Sequence, residues 1–272
     1  MSGIEALAPV PWETRNLGRP SFEVTPAFAR SPSASRLVLR LQEEEKEHGE
    51  IFVQCRTSGR NRRLLGALRS AGFRPAETSL VPWTRPSVNR VFKLFQKNPG
   101  AFLPMGAMPR DFTVAPVPRS DLPTYRGVES IARGAFSEDR FHRDPLCPPR
   151  TADRRFIFWI RDLRKDPHAA LWILREKGRL AAFFFFRGGD LVLNASQKGF
   201  RGRGLGRFAY LSVFSRLDPS GRKILQSRIS ANNRPARAIY RALGFKFKTP
   251  EITCHYWSAL HPDVSTRAQK KP

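Results

Sequence analysis

The feature that most constrains this chain is a strand that passes into a helix through almost bare backbone. Residues 191–196 alternate as a strand, and GFRGRGLGR follows at 199–207. Leu205, Phe208, Leu211, Phe214 and Leu217 then recur at helical spacing. Gly202, Gly204 and Gly206 take side chains out of the turn, and the first amides of a helix point outward with the positive end of the helix dipole behind them. Such a junction attracts anions: a pyrophosphate can approach the backbone, and Arg201 and Arg203 can add charge-assisted hydrogen bonds. The spacing is not that of a Walker loop, since no Gly-Lys-Ser/Thr follows. The elements before it read as a meander rather than the strand-helix-strand unit of a dinucleotide fold. Taken alone, the turn also fits a tight strand-to-helix connection.

That meander comprises three expected strands, 171–175, 180–187 and 191–196. A strand over 112–117, a helix over 120–136, an irregular stretch at 137–150 and a helical segment over 156–163 precede it. After the glycine turn come a largely buried helix, a strand over 223–230, a helix over 234–243 closed by Gly244, and a final strand over 245–257. The order is β-α-α-β-β-β-α-β-α-β. Upstream, the pattern predicts strands over 36–41 and 51–56, a helix over 61–71 capped by Gly72, and an extended segment over 73–83. NPGAFLPMGAMPR at 98–110 holds closely spaced Gly and Pro breakers and reads as a linker. The expected organisation is an N-terminal domain at 1–108, a second domain at 109–260 and a basic tail at 261–272.

Composition narrows the function classes. With 40% apolar and 11% aromatic residues, 272 residues can build a real core. The longest strongly apolar run, 180–186, is far short of the roughly 20 residues a membrane-spanning helix needs. The N-terminus has neither a cationic start nor a continuous apolar stretch, so the reading is a cytoplasmic protein. Cys55, Cys147 and Cys254 lack metal-ligand spacing, and no metal is expected. Forty-eight Lys and Arg against 23 Asp and Glu give a formal charge of +25. Such a surface attracts polyanions, but the cations are spread along the chain rather than packed into one tail, which favours small polyanions over nucleic acid.

A second constellation, ANNRPARAIYRALGF, occupies 231–245. Asn233 can cap the helix, Pro235 falls in its first turn, and Ala236, Ile239, Tyr240 and Leu243 share one face. By periodicity alone, Tyr240 is a core tyrosine. Together the two segments resemble the GNAT acetyltransferases. Arg201-Gly202-Arg203-Gly204-Leu205-Gly206 is similar to that family's Q/R-x-x-G-x-G/A pyrophosphate motif, and Asn233-x-x-Ala236-x-x-x-Tyr240-x-x-x-Gly244-Phe245 to its following helix. The resemblance covers roughly 110–258. It implies an α/β GNAT fold, with a mixed central sheet flanked by helices and a smaller, partial GNAT-like domain ahead of it.

The same resemblance implies acetyl-CoA as acetyl donor and N-acetyl transfer to a primary amine. Arg201, Gly202, Arg203, Gly204, Leu205 and Gly206 would hold the CoA pyrophosphate. The strand edge at Asn194, Ala195 and Ser196 would pair with the pantetheine amides, and Asn233 would contact the cofactor. Tyr240 would protonate the departing thiolate, with amides near Ser196 facing the developing oxyanion. Family members often carry Val where Ser196 stands. Glu138, His142, Asp144, His255 or a water chain could take the proton of the amine.

PWETRNLG at 11–18, the block 50–83 and FHRDPLCPP at 141–149 are similar to the sugar-nucleotide branch, the dTDP-fucosamine (dTDP-4-amino-4,6-dideoxygalactose) N-acetyltransferases. This implies a nucleotide-linked amino sugar as acceptor; a peptide, protein or small amine is the other enzymatic reading. A basic nucleic-acid-binding module on the same scaffold is the non-enzymatic one, and a homodimer is left open. Finally, Leu64-Leu65-x-Ala67-Leu68-x-x-x-Gly72-Phe73 echoes Ala238-Ile239-Tyr240-x-Ala242-Leu243-Gly244-Phe245. The echo fits a duplication or a chance repeat, and the first copy lacks a glycine-rich turn.

Overall fold

A computed structural model describes residues 5–258. The expected basic tail at 261–272 lies outside the described residues. In chain order the elements are β1 (Leu7–Pro9), α1 (Pro11–Leu17), β2 (Ser21–Val24), α2 (Pro26–Arg30), α3 (Ala34–His48), β3 (Phe52–Ser58), α4 (Arg62–Ser70), β4 (Arg74–Leu80), β5 (Pro82–Thr84), α5 (Arg90–Lys97) and β6 (Phe112–Val117). They continue with α6 (Leu122–Ala132), α7 (Pro149–Lys165), β7 (Ala169–Glu176), β8 (Arg179–Arg187), β9 (Asp190–Ser196), α8 (Gly206–Leu217), β10 (Leu225–Ser227), β11 (Ile229–Ser230), α9 (Arg234–Ala242), β12 (Lys246–Phe247) and β13 (Glu251–Trp257). The described residues form two compact units, one from residues 5–78, 143–151 and 249–258, the other from 79–142 and 152–248. Residues 79–108 thus belong to the second unit, and β13 to the first.

In the first unit the strands run β1-β2-β3-β13-β4. β2 and β3 are parallel, with Phe22 opposite Val53, so the intervening helices form a crossover. β13 lies antiparallel to β3 along its whole length. Leu37, Leu41, Leu64, Leu68, Cys55, Cys254 and Tyr256 share its core. The strand expected over 36–41 is instead part of α3. The Leu37, Leu39, Leu41 alternation imitates a strand, but Leu37 and Leu41 are buried four residues apart with Glu44 after them, while Leu39 is 60% exposed. Ser33 caps this helix, accepting from the Arg36 amide at 3.4 Å, and the charged run after Leu41 belongs to the same helix.

The second unit is built on a seven-stranded mixed sheet, β12-β5-β10-β9-β8-β7-β6, in which β9 and β10 are parallel and the other pairs antiparallel. Its inner strand β8 carries Phe183 to Phe186, all buried. Phe183 and Phe185 pack with Val128, Ile160 and Leu171, on the α6–α7 face; Phe184 and Phe186 pack with Phe208, Leu211 and Tyr240, on the α8–α9 face. A strand covered on both sides reads as a continuous apolar run. Asn89 ties this unit's helices together. Its Oδ1 accepts from the Val91 amide at 2.8 Å to cap α5, while its Nδ2 donates to the Leu243 carbonyl at the end of α9 (2.9 Å) and to Thr84 Oγ1 (2.9 Å).

Three further expectations change. The segment 98–110 is no free linker: Phe102, Leu103 and Ala107 pack against the α8–α9 core. The helix expected over 156–163 runs from Pro149 to Lys165. The final strand is two strands, broken around Pro250, so β12 joins the second unit's sheet and β13 the first's. The earlier Gly-Phe copy behaves in the mirrored way, with β4 entering the first unit's sheet and β5 pairing with β10 and β12 in the second. After each helix the chain contributes a strand to both units.

Candidate active site

β9 begins as an ordinary inner strand. On one side Asp190 and Leu191 pair with Gln226 and Ser227 of β10, and the Ser227 hydroxyl donates to the Leu191 carbonyl at 2.8 Å. On the other, Arg187 and Phe186 pair with Asp190 and Leu191, after which the register jumps so that Phe185 faces Leu193. Val192 is therefore the extra residue of a β-bulge, which bends and twists the strand. Leu191 packs on the α8–α9 face, whereas Leu193 and Ala195 pack on the α6–α7 face, so the bulge flips the alternation. Among the described residues, β10 ends where the bulge begins, and β9 beyond Leu191 has one open edge.

The amide of Gln197 donates to the Ala181 carbonyl at 2.8 Å, which fixes the alternation beyond the bulge. Leu193, Ala195 and Gln197 turn their backbone groups toward β8; Asn194 and Ser196 turn theirs to the open edge. Of the three expected edge residues, Asn194 and Ser196 thus offer backbone groups and Ala195 does not. The Asn194 side chain is engaged elsewhere, its Nδ2 donating to Tyr210 Oη at 2.6 Å.

The open edge runs into the glycine turn. Gly202 and Gly204 both have φ of +75°, a left-handed conformation that side chains resist, and the position a Gly202 Cβ would occupy is open space. Gly206 is glycine for a different reason: a Cβ there would come within 2.8 Å of Ile239 Cδ1, so its bareness lets α8 and α9 approach. Arg201 is exposed, and its Nε donates to the Ser196 carbonyl at 3.0 Å, across the foot of the open edge. Arg203 makes a bidentate pair with Glu176 at 2.6 and 2.5 Å, which holds its guanidinium and lowers the Glu176 carboxyl pKa. Leu205 is buried in the core.

Asn233 caps α9, its Oδ1 accepting from the Ala236 amide at 3.0 Å. Tyr240, on that helix, is wholly buried between Tyr210 and Phe245, with ring centroids 5.6 and 5.0 Å away. Its hydroxyl sits beside those of Ser227 and Tyr210 without a well-formed hydrogen bond to either. Ser227 is the residue at which β10 and β9 part, so this hydroxyl lies at the apex of the opening. Burial, with Tyr210 alongside, pushes the Tyr240 phenol well above its usual pKa; burial takes Tyr210 to about 12.

The four candidate bases fall in two places. His142 is in the second unit, with Asp139 on its Nδ1 and Asp153 Oδ1 3.1 Å from Nε2; hydrogen bonding to Asp139 is the main cause of its raised pKa. Glu138 is in the same unit. Asp144 and His255 meet in the first unit, Nδ1 to Oδ2 2.6 Å. Sequence reasoning missed Tyr210, Ser227 and Glu176. Tyr210 was visible only as part of a wide apolar face, and the other two become meaningful only through strand register.

No protein-family model matches the chain, and no curated protein matches it. Among solved structures, a GCN5-related N-acetyltransferase from Sphaerobacter thermophilus superposes with a TM-score of 0.58, over 96% of this chain and 78% of that one, at 19% identity. The chain has the GNAT fold. Another GNAT-fold match, a GCN5-related N-acetyltransferase from Kribbella flavida, has a TM-score of 0.52 over 92% of this chain and 84% of that one, at 14% identity. A tandem GNAT protein from the clavulanic acid biosynthesis pathway, solved without AcCoA, gives 0.52 over 90% and 77% at 15% identity. The GNAT fold of this chain includes two mixed sheets flanked by helices.

Proposed function

We propose that this chain is an acetyl-CoA-dependent N-acetyltransferase acting on a primary amine, with its acetyl-transfer machinery C-terminal to residue 108. The observation that carries the reading is the opening between β9 and β10. A bulge frees one strand edge, bare backbone lies at its far end, and a buried phenol without a well-formed hydrogen bond lies at its apex. A diphosphate fits the bare turn, because Gly202 leaves open space and the N-terminus of α8 follows within four residues. An amide-bearing arm fits the outward groups of Asn194 and Ser196 as an added strand.

Acetyl-CoA supplies the activated thioester. Arg201, Gly202 and Gly204 bind its diphosphate, and Arg203, already paired with Glu176, braces the turn. The outward amide of Ser196 faces negative charge developing on the acetyl oxygen. Burial and the neighbouring Tyr210 favour the protonated phenol of Tyr240, which suits a donor role. An ordinary phenol, of pKa about 10, is already a weaker acid than a thiol of about 8.5, and burial weakens Tyr240 further, so it gives its proton as the carbon–sulfur bond breaks rather than to free thiolate. The +25 formal charge favours an acceptor that carries phosphate, such as a nucleotide-linked amino sugar.

The test is thiol release from acetyl-CoA with dTDP-linked amino sugars, peptides and polyamines offered in parallel. Turnover with an amine, abolished by acetylating that amine beforehand, supports the reading. No thiol released with any of them, together with salt-sensitive DNA or RNA binding indifferent to acetyl-CoA, identifies a non-enzymatic module instead.

A further inference from the structure

Methionine ordinarily fills irregular gaps in a core, being unbranched and polarizable. Beyond Met1 this chain has two, Met105 and Met108, and it uses neither that way: Met105 is fully exposed and Met108 nearly half exposed. A scattered exposed apolar side chain needs no explanation, but these two share one short loop, and that loop is held in shape. The Ala107 amide donates to the Pro104 carbonyl at 3.1 Å, closing a turn in which Gly106 has a φ of +82°. Met105 occupies the tip of that turn. Leu103 and Ala107, on either side of it, pack against the α8–α9 core, and the Asp111 amide donates to the Met108 carbonyl at 3.0 Å. Met105 is therefore presented to solvent from an anchored base.

The loop lies beside the bare turn, in the same unit. A Cβ added at Gly204 would come 3.9 Å from Pro104 Cβ, so the residue before Met105 is a direct neighbour of the glycine turn. On the acetyl-CoA reading, on which this rests, the diphosphate occupies that turn and the amide-bearing arm follows the edge of β9. The adenosine is attached to the other end of the diphosphate, so its purine comes to rest a ribose beyond the turn, within reach of the loop. A purine has a flat aromatic surface, and thioether sulfur makes favourable contacts with aromatic rings while adapting to their position. We propose that Met105 and Met108 form the seat of the CoA adenine.

With Met1, Met105 and Met108 as the chain's methionines, an NMR spectrum of isotope-labelled methionine methyls is simple enough to assign with Met105→Leu and Met108→Leu. CoA and phosphopantetheine, which lacks the adenosine, are titrated into the full chain, and calorimetry reports the binding of each. CoA moves the Met105 and Met108 methyls saturably, through the ring current of the purine, while phosphopantetheine moves neither. Met105→Ala combined with Met108→Ala weakens CoA about fivefold, the loss expected for two thioether contacts with an aromatic ring, and leaves phosphopantetheine unaffected. CoA that binds with heat while both methyls stay still, methyls moved equally by phosphopantetheine, or undiminished CoA affinity in the double variant overturns the proposal and leaves the acetyl-CoA reading standing. No heat from CoA with well-folded wild type overturns that reading, and the adenine seat with it.

Discussion

Tyr240 concentrates the chemical argument at the scale of the residue. The Tyr240 hydroxyl is buried without a well-formed hydrogen bond, so it contributes little to stability. Tyr240→Phe should therefore leave the melting temperature unchanged or raised, while lowering kcat about 10²–10⁴-fold with little change in CoA affinity. A structural tyrosine would show the reverse pattern, so one variant measured by calorimetry and by thiol release separates the two roles. His142 is a second instructive residue. Hydrogen bonding to Asp139 raises its pKa in the folded state, so the stabilisation it gives is complete below the unfolded value of about 6.5 and is lost as pH rises through the raised folded value. Urea unfolding of the wild type and His142→Asn across that range should show the wild type's advantage shrinking as pH rises; a constant gap would contradict the assignment.

Among elements, caps and close approaches hold the site in place. Asn89 serves α5 and α9 with one side chain, so Asn89→Ala removes a cap and strands a carbonyl beside the helix that carries Tyr240. A loss of about 2 kcal/mol in urea unfolding is expected. The same scale shows what the sequence could and could not say. The glycine turn, the α9 cap and the apolar run of β8 were legible because each is written in consecutive residues with one physical cause. The bulge at Val192 was not, because a register jump leaves no mark in composition; it follows from which residues Phe185 and Phe186 face. Ser227 and Glu176 were missed for the same reason. The α3 error arose where a helical face and a two-residue alternation coincide over Leu37 to Leu41, and only the exposure of Leu39 separates them.

At the level of the whole molecule, the two units are bound by the covalent path of the chain, because each Gly-Phe copy sends strands into both sheets. β13 makes this testable. Truncation after residue 249 removes Cys254 and Tyr256 from the first unit's core and a partner from β3, so amide exchange protection over Phe52–Ser58 should collapse. Retained protection would mean that the first unit does not depend on β13. If the edge of β9 and the bare turn after it receive coenzyme A, isothermal titration of CoA into the folded protein gives saturable heat, with affinity reduced about tenfold or more in Arg201→Glu; no heat from well-folded wild type, or equal binding by the variant, would overturn that assignment.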